Sequence, residues 1–339
     1  MKTVILAAGF GSRLWPISTS EQPKQFCYLV HSKTPTEATY EISQKFVSTD
    51  DLYILTLEEL HHFVQKQIPE IHSKNIIFAP ARHNTLPHVL FAMNKLAQSD
   101  DEQVLFLPVD HHHKVPTVYV DTMRSALGQC VDVGSNYLLV TDNNEYDSNS
   151  GYVVDNHSDS ITFKEKPTPE ELDDMKSHGK IYKDTAAFVV SKKSLSKSLN
   201  YVQDASIRQR LIDLLYSGSH ERDQKYLLTS FLDIQATLFE VSKNIKVVPI
   251  KDDFVDIGRY EALYRLDKKD LNGNVIHGNF IIAEGCTNCL LINKTTVAMV
   301  AVNLSNTIMV KTAQGVLSVP FESAEKVGAI YKKSIKTLL

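Results

Sequence analysis

The sequence predicts an α/β protein: a mainly parallel sheet flanked by helices, followed by a small all-β region. Three observations carry this prediction. Short apolar, β-prone runs at 4–6, 52–56, 75–79 and 104–107 alternate with helical patterns at 57–68 and 84–97, the rhythm of βαβ units. A glycine turn follows the first run and Asp110 follows the fourth. Both fall where parallel sheets hold ligands, beyond the carboxyl ends of their strands. Around 267–274 the character changes to short β-prone runs bounded by Gly, Asn or Thr. At 339 residues the chain is long for one core. The expected division is a larger domain at 1–266 and a small β domain at 267–339.

Taken in order, Val4, Ile5 and Leu6 read as a buried strand. After Phe26 the chain turns polar. The run 52–56 is a second strand and 57–68 a helix that Pro69 ends. A third strand at 75–79 is closed by Pro80, and a helix over 84–97 has Asn84 or Thr85 as its cap. The fourth strand ends at Pro108-Val109-Asp110. Beyond it, 137–141, 151–154, 161–164 and 186–190 read as strands, with a turn at 156–160 and a capped helix over 168–177. Two or three helices fill 192–239, a short strand covers 246–249, and 258–266 is the closing helix. The β region offers runs at 279–283, 289–292, 297–302, 307–311 and 315–319, then a helix from 323 to about 336.

The stretch VILAAGFGSRLWPISTSEQPKQF, residues 4–26, holds the densest chemistry. The small residues Ala7, Ala8, Gly9 and Gly11 let backbone approach a ligand. Arg13 follows at once, and Lys24 comes after Pro23. A strand, a glycine turn and two cations make an anion site, best suited to nucleotide phosphates. A dinucleotide fingerprint is excluded because Leu14 stands where G-x-G-x-x-G needs its third glycine, and no P-loop pattern is present.

The formal net charge of −4 argues against a general nucleic-acid binder. Any anionic ligand must be met by local cations. Four cysteines do not make a disulfide framework, so a reducing cytoplasm is expected. Cys286 and Cys289 form a lone C-x-x-C in an apolar segment and read as buried thiols. No run reaches the ~18 apolar residues of a membrane span. The apolar N-terminus stops too early for a signal peptide.

The stretch LAAGFGSRLWPISTSEQPKQF resembles the signature of sugar-nucleotide pyrophosphorylases, and within them the bacterial mannose-1-phosphate guanylyltransferases, where W-P-x-S precedes P-K-Q-F. The resemblance implies a Rossmann-like catalytic domain of the nucleotide-diphospho-sugar transferase type. The segment opening at Gly273-Asn274-Val275 resembles that family's C-terminal β-helix-like domain, which implies a homodimer. The implied reaction joins GTP and mannose 1-phosphate, giving GDP-mannose and pyrophosphate, with Mg²⁺ as the cofactor.

Carried over position by position, the resemblance assigns the nucleotide to Leu6, Ala7, Ala8, Gly9, Gly11 and Ser12, and the base to Asn84 and Thr85. Arg13 and Lys24 would offset phosphate charge. Pro108-Val109-Asp110-His111 is similar to P-[AS]-D-H, whose Asp is a Mg²⁺ ligand. Phe254-Val255-Asp256-Ile257-Gly258 is similar to W-x-D-[VL]-G, which makes Asp256 the second ligand. One or two carboxylates completed by phosphate oxygens suit Mg²⁺. Glu165-Lys166-Pro167 resembles the sugar-side E-K-P, and Gly151 resembles a glycine beneath the sugar. Each also has a plain structural reading: turn residues at Asp110 and Glu165-Lys166, helix caps at Asn84, Thr85 and Asp256.

The sequence departs from the family in the sugar half. W-N-S-G-M-F is matched by Lys183-Asp184-Thr185-Ala186-Ala187-Phe188, so Asp184 replaces a sugar-binding Asn and Ala186 a glycine. The family's D-Y-A helix segment falls on 228–233, without its Asp at the matching place. A sugar 1-phosphate other than mannose 1-phosphate, or a non-catalytic sugar-nucleotide-binding relative, are the alternatives these departures raise.

Overall fold

A computed structural model describes residues 1–9, 11–29, 32–142, 150–156, 161–229 and 231–335. The strands are β1 Lys2–Leu6, β2 Leu52–Leu57, β3 Ile76–Ala79, β4 Gln103–Pro108, β5 His111–His113, β6 Asn136–Thr141, β7 Gly151–Asp155, β8 Ile161–Glu165, β9 Lys180–Ser191, β10 Ile245–Pro249 and β11 Phe254–Asp256. The later ones are β12 Val275–Gly278, β13 Ile281–Glu284, β14 Leu290–Asn293, β15 Met299–Val302, β16 Thr307–Thr312 and β17 Gly315–Pro320.

The chain forms two compact units, each assembled from separated segments. One contains residues 1–8, 39–109 and 113–254; the other contains 9–38, 110–112 and 255–339. The front loop and the helix Tyr260–Leu266 group with the C-terminal strands. The reason is hydrophobic: Leu14, Ile17 and Cys27 share one buried cluster with Tyr260, Leu263, Val275, Leu290 and Ile308.

The first unit is built on a nine-stranded sheet. Its main path runs β10-β6-β9-β4-β1-β2-β3, with β7 paired to β9 and β8 to β7. β1 is parallel to both neighbours, with Ile5 opposite Ile54 and Leu107. β3 is parallel to β2, and β10 to β6. β9 runs antiparallel between β4 and β6, and the β7–β8 pair is antiparallel too. Val4 and Ile5 are both fully buried, as a strand covered on both faces requires. Leu105, Leu139 and Val189 line a shared core with Tyr119 and Met123 of the helix Pro116–Leu127.

Several elements differ from the sequence expectation. The helix expected from 57 begins later, because Leu57 still pairs with Ala79 in the sheet. Glu58–Leu60 is a 3-10 turn, and the α-helix is His61–Gln67. The helix Pro35–Ser43 lies in a stretch whose only sequence signal is polarity, yet its start carries a reciprocal cap: the Thr34 N–H donates to Glu37 Oε2 (2.6 Å) and the Glu37 N–H to Thr34 Oγ1 (3.4 Å). The helix Pro116–Leu127 likewise lies where the sequence carries no specific expectation. The strand expected at 186–190 is the longer β9, with Ala186 at φ +53° and a register shift between Leu139 and Val140 opposite it. Of the turn expected at 156–160, residues 157–160 lie outside the described residues.

The second unit stacks its strands in parallel, β12 on β14 on β16 and β13 on β15, and β17 closes antiparallel on β16. This is the β-helix-like arrangement expected of the C-terminal region. The run expected at 279–283 is the single strand β13, starting two residues later, and β12 before it, which the expected runs do not include, ends at Gly278 with φ +100°. Asn274 fills another corner, donating to the Cys286 carbonyl (2.9 Å) and accepting from the Cys289 N–H (3.0 Å). Cys286 and Cys289 are buried free thiols, as expected. The helix expected from 323 to about 336 is three short pieces: a 3-10 stretch Phe321–Lys326, an α-turn Val327–Ile330 and a wider π-turn Tyr331–Ile335. Lys336 lies outside the described residues. Among the described residues, no helix is long and apolar enough to cross a membrane.

Candidate active site

The second unit brings together the cations and carboxylates that lie farthest apart in sequence. Gly11 adopts φ +64° and opens a 3-10 turn, Ser12–Leu14, which carries Arg13. A side chain at Gly11 would lie 2.6 Å from Ser18 Oγ and 2.7 Å from the Lys24 nitrogen, so only glycine fits. Lys24 opens a second turn, Lys24–Phe26, after Pro23. Gln25, on that second turn, is buried and donates through Nε2 to the Gly9 carbonyl (3.0 Å). Among the described residues, no atom beyond its chain neighbours lies within 4 Å of where a side chain on Gly9 would project. Phe10 lies outside the described residues.

Lys24 Nζ is 2.5 Å from Asp110 Oδ2. The Ile257 N–H donates to the Asp110 carbonyl (2.8 Å), which draws the 256–258 segment against Asp110. Asp256 Oδ1 accepts from the Gly258 N–H (2.7 Å). A side chain at Gly258 would come within 2.8 Å of Asp256 Oδ1 and 3.0 Å of Lys24 Nζ, so this glycine gives the ammonium its room. Asp256 does not cap the helix Tyr260–Leu266; Arg259 occupies that position.

The electrostatics follow from this crowding. Burial would lower the Lys24 pKa, but the Asp110 and Asp256 carboxylates overcome that and hold it above the ordinary lysine value, with Arg13 opposing as a like charge. Burial would raise the Asp110 pKa, yet Lys24 and His111 hold it at about 2. Burial and repulsion from Asp110 push Asp256 upward. Two carboxylates that repel each other and share one cation are a fitting pair for a hard divalent ion. Among the described residues no group of three or more His, Cys, Asp or Glu could hold a metal. The remaining ligands of such an ion would therefore be phosphate and water oxygens.

The first unit holds the other predicted residues. Leu6 ends β1, and the Ala7 N–H donates to the Leu55 carbonyl (2.8 Å). Ala8 is buried beside it. Asn84 occupies the cap position of the helix Thr85–Leu96 without a side-chain capping bond. Thr85 Oγ1 is 3.5 Å from Asp233 Oδ2, and the Leu86 N–H donates to the Leu232 carbonyl (3.1 Å).

The four residues expected on the sugar side gather around β7, β8 and β9. Gly151 pairs with Glu165 across β7 and β8. A side chain at Gly151 would meet the Phe163 ring at 2.6 Å and Glu165 Oε2 at 2.9 Å. Lys166 Nζ lies 2.6 Å from Glu165 Oε1, and Lys166 stands at φ +50°. Glu240 Oε1 accepts from the Glu165 N–H (2.8 Å). Burial pushes the Glu165 carboxyl above its ordinary value against the pull of Lys166. Asp184 is 8% exposed. Burial pushes its pKa up to about 7, with Glu165 and Asp233 adding repulsion and bonds from Ala186 and Gln235 resisting.

Sequence reasoning missed Asp233, Gln235 and Glu240. Asp233 ends the 228–233 segment that lacked an acid at the expected place, so the signal was a displaced carboxylate in the right neighbourhood. A separate groove of about 550 Å³ lies at the carboxyl ends of β2 and β3, lined by Glu58, Glu59, Pro80, Arg82 and Asp223 among others. It contains none of the predicted site residues.

Residues 2–273 match the family model of the nucleotidyl transferases, and the chain belongs to that family. A mannose-1-phosphate guanylyltransferase of Klebsiella pneumoniae is 26% identical over 360 residues, covering 99% of this chain and 73% of that protein. One of Salmonella montevideo is 27% identical over 354 residues, covering 97% of this chain and 73% of the relative. The fold is similar to a crystal structure from Thermus thermophilus described as a mannose-1-phosphate geranyltransferase, with a TM-score of 0.81, 21% identity and 98% of each chain covered.

Proposed function

We propose that this chain condenses GTP with mannose 1-phosphate to give GDP-mannose and pyrophosphate. The observation that carries the reading is the cluster of Lys24, Asp110 and Asp256 with Arg13 as a near cation. A phosphate oxygen of the sugar phosphate attacks the α-phosphorus in line, and pyrophosphate leaves. The attacking group is already an anion, so no protein nucleophile is required. The chain's work is to hold two polyanions and offset their charge. Arg13 and Lys24 bind phosphate oxygens, and the open backbone at Gly9 with Gly11 and Ser12 accommodates the triphosphate. Asp110 and Asp256 would hold Mg²⁺, which would supply further charge neutralisation when bound. Asn84 and Thr85 would take the base, and Gly151, Glu165, Lys166 and Asp184 the sugar phosphate.

Guanine and mannose come from the names of the relatives. A homodimer is part of the reading; the exposed cross-strand pair Ile282 and Val300 on β13 and β15 supports a self-associating face. A second reading keeps the reaction and changes the sugar. It is favoured by Asp184, a buried carboxyl beside Glu165 and Asp233 where the relatives' signature has an amide.

The test is pyrophosphate release from GTP and mannose 1-phosphate with Mg²⁺, against the other nucleoside triphosphates and a panel of sugar 1-phosphates. Release with mannose 1-phosphate and GTP is the expected result. Release only with another sugar would establish the second reading, and silence from every pair would sink both.

A further inference from the structure

The front loop that carries Arg13 is held from behind by residues 245 to 311 positions later in the chain. The single Tyr260 hydroxyl hydrogen is shared between the carbonyls of Leu14 (2.9 Å) and Trp15 (2.8 Å). Thr312 Oγ1 donates to the Pro16 carbonyl (3.2 Å). The Ser20 N–H donates to Tyr331 Oη (3.2 Å). Two glycines make close approach possible. A side chain at Gly315 would lie 2.7 Å from the Trp15 ring, and one at Gly328 would lie 3.2 Å from Arg13 Cγ and 3.5 Å from Ser12 Oγ. Gly328 is buried on the α-turn Val327–Ile330. It has no left-handed conformation to explain its being glycine, so the absent side chain serves the neighbour.

Resting on the nucleotidyl-transfer reading above, we propose that Gly328 and Tyr331 are positioning residues for Arg13. They set the height and tilt of the loop from which its guanidinium reaches the phosphates. The C-terminal segment is then part of the catalytic apparatus rather than an appendage. Gly328 supplies a surface on which the Arg13 stem lies, and Tyr331 pins the same loop further along, at Ser20.

The chain has a single tryptophan, Trp15, so its emission reports this loop directly. The experiment uses the full chain with Gly328→Ala, Gly328→Leu and Tyr331→Phe. Measured are kcat, KM for each substrate, the thermal midpoint and Trp15 emission. Glycine to alanine in a helix ordinarily stabilises, so a purely structural position predicts an unchanged or higher midpoint and unchanged kcat. Positioning predicts a fall in kcat of roughly 10-fold or more for Gly328→Leu, a smaller fall for Gly328→Ala and Tyr331→Phe, shifted Trp15 emission, and an unchanged KM for the sugar phosphate. If Gly328→Leu does not fold, the two milder variants decide. Wild-type kcat and emission in both would overturn the proposal while leaving the assigned reaction standing. If the unaltered chain releases no pyrophosphate from any pair, the reaction has failed and emission alone decides: a shift in the variants supports loop positioning, and no shift overturns it.

Discussion

At the scale of single residues, charge governs what this chain can do. Removing the Asp110 carboxylate leaves Lys24 without its closest partner and takes away one of the two carboxylates proposed to hold Mg²⁺. Asp110→Asn is expected to cut turnover by about 10²–10³, the range for losing one preorganised electrostatic group. Millimolar Mg²⁺ is expected to raise the thermal midpoint of the parent chain and not that of the variant, because a ligand stabilises only the form that binds it. An equal Mg²⁺ shift in both proteins would remove Asp110 from the metal site. Asp184 makes the opposite kind of prediction. Its pKa is raised to about 7 from the ordinary aspartate value of 3.8, so the folded state holds a proton that the unfolded state has released. Stability therefore falls as pH rises from about 4 to 7 and stays low above that range. Asp184→Asn is expected to stabilise by roughly 2–4 kcal/mol at pH 8 and by little at pH 4. Chemical denaturation at the two pH values checks it, and equal effects at both would refute the assignment.

At the scale of elements, the sequence was legible where pattern and punctuation agreed. The strands 52–56 and 104–107 emerged nearly intact because continuous apolar runs ended at polar or proline residues. The helix after Thr168 was legible from its cap: Thr168 accepts from the Glu171 N–H, and Glu171 reaches back to the Thr168 N–H at 2.8 Å. Thr168→Ala is expected to cost about 1 kcal/mol, read as a lowered urea midpoint at constant slope. No change would mean that Pro169 alone sets the start. The helix at Pro35–Ser43 carried the same kind of cap in Thr34 and Glu37, but its buried face includes the polar residues Thr36, Thr39 and Ser43, so no apolar period marked it. The corner at Gly278 was hidden differently. Gly278 at φ +100° ends β12 just ahead of the run that becomes β13, and hydrophobicity does not register that turn.

At the scale of the whole molecule, the residues around Lys24 drew notice singly and their company did not. Arg13, Lys24, Asp110 and Asp256 could each be picked out from turns and motif likeness. That Lys24 would stand against both carboxylates follows from the Ile257-to-Asp110 hydrogen bond and from the space at Gly258, which no periodicity encodes. The carboxylates Asp233 and Glu240 come beside Glu165 through the same kind of long-range closure. The grouping of residues 9–38 with 255–339 left the least trace in the sequence. Leu14 and Ile17 look like ordinary loop hydrophobes until Tyr260, Val275 and Ile308 are known to cover them.

That coverage has a consequence for synthesis. A ribosome delivers residues 9–38 early and their packing partners at 255–339 much later, so the nascent front loop must wait, apolar side chains uncovered, until those partners emerge. Contacts spanning 246 positions, such as Tyr260 with Leu14, are slow to form. Chains stalled or cut before residue 255 would thus be clients for chaperones and proteases before they could ever become enzymes.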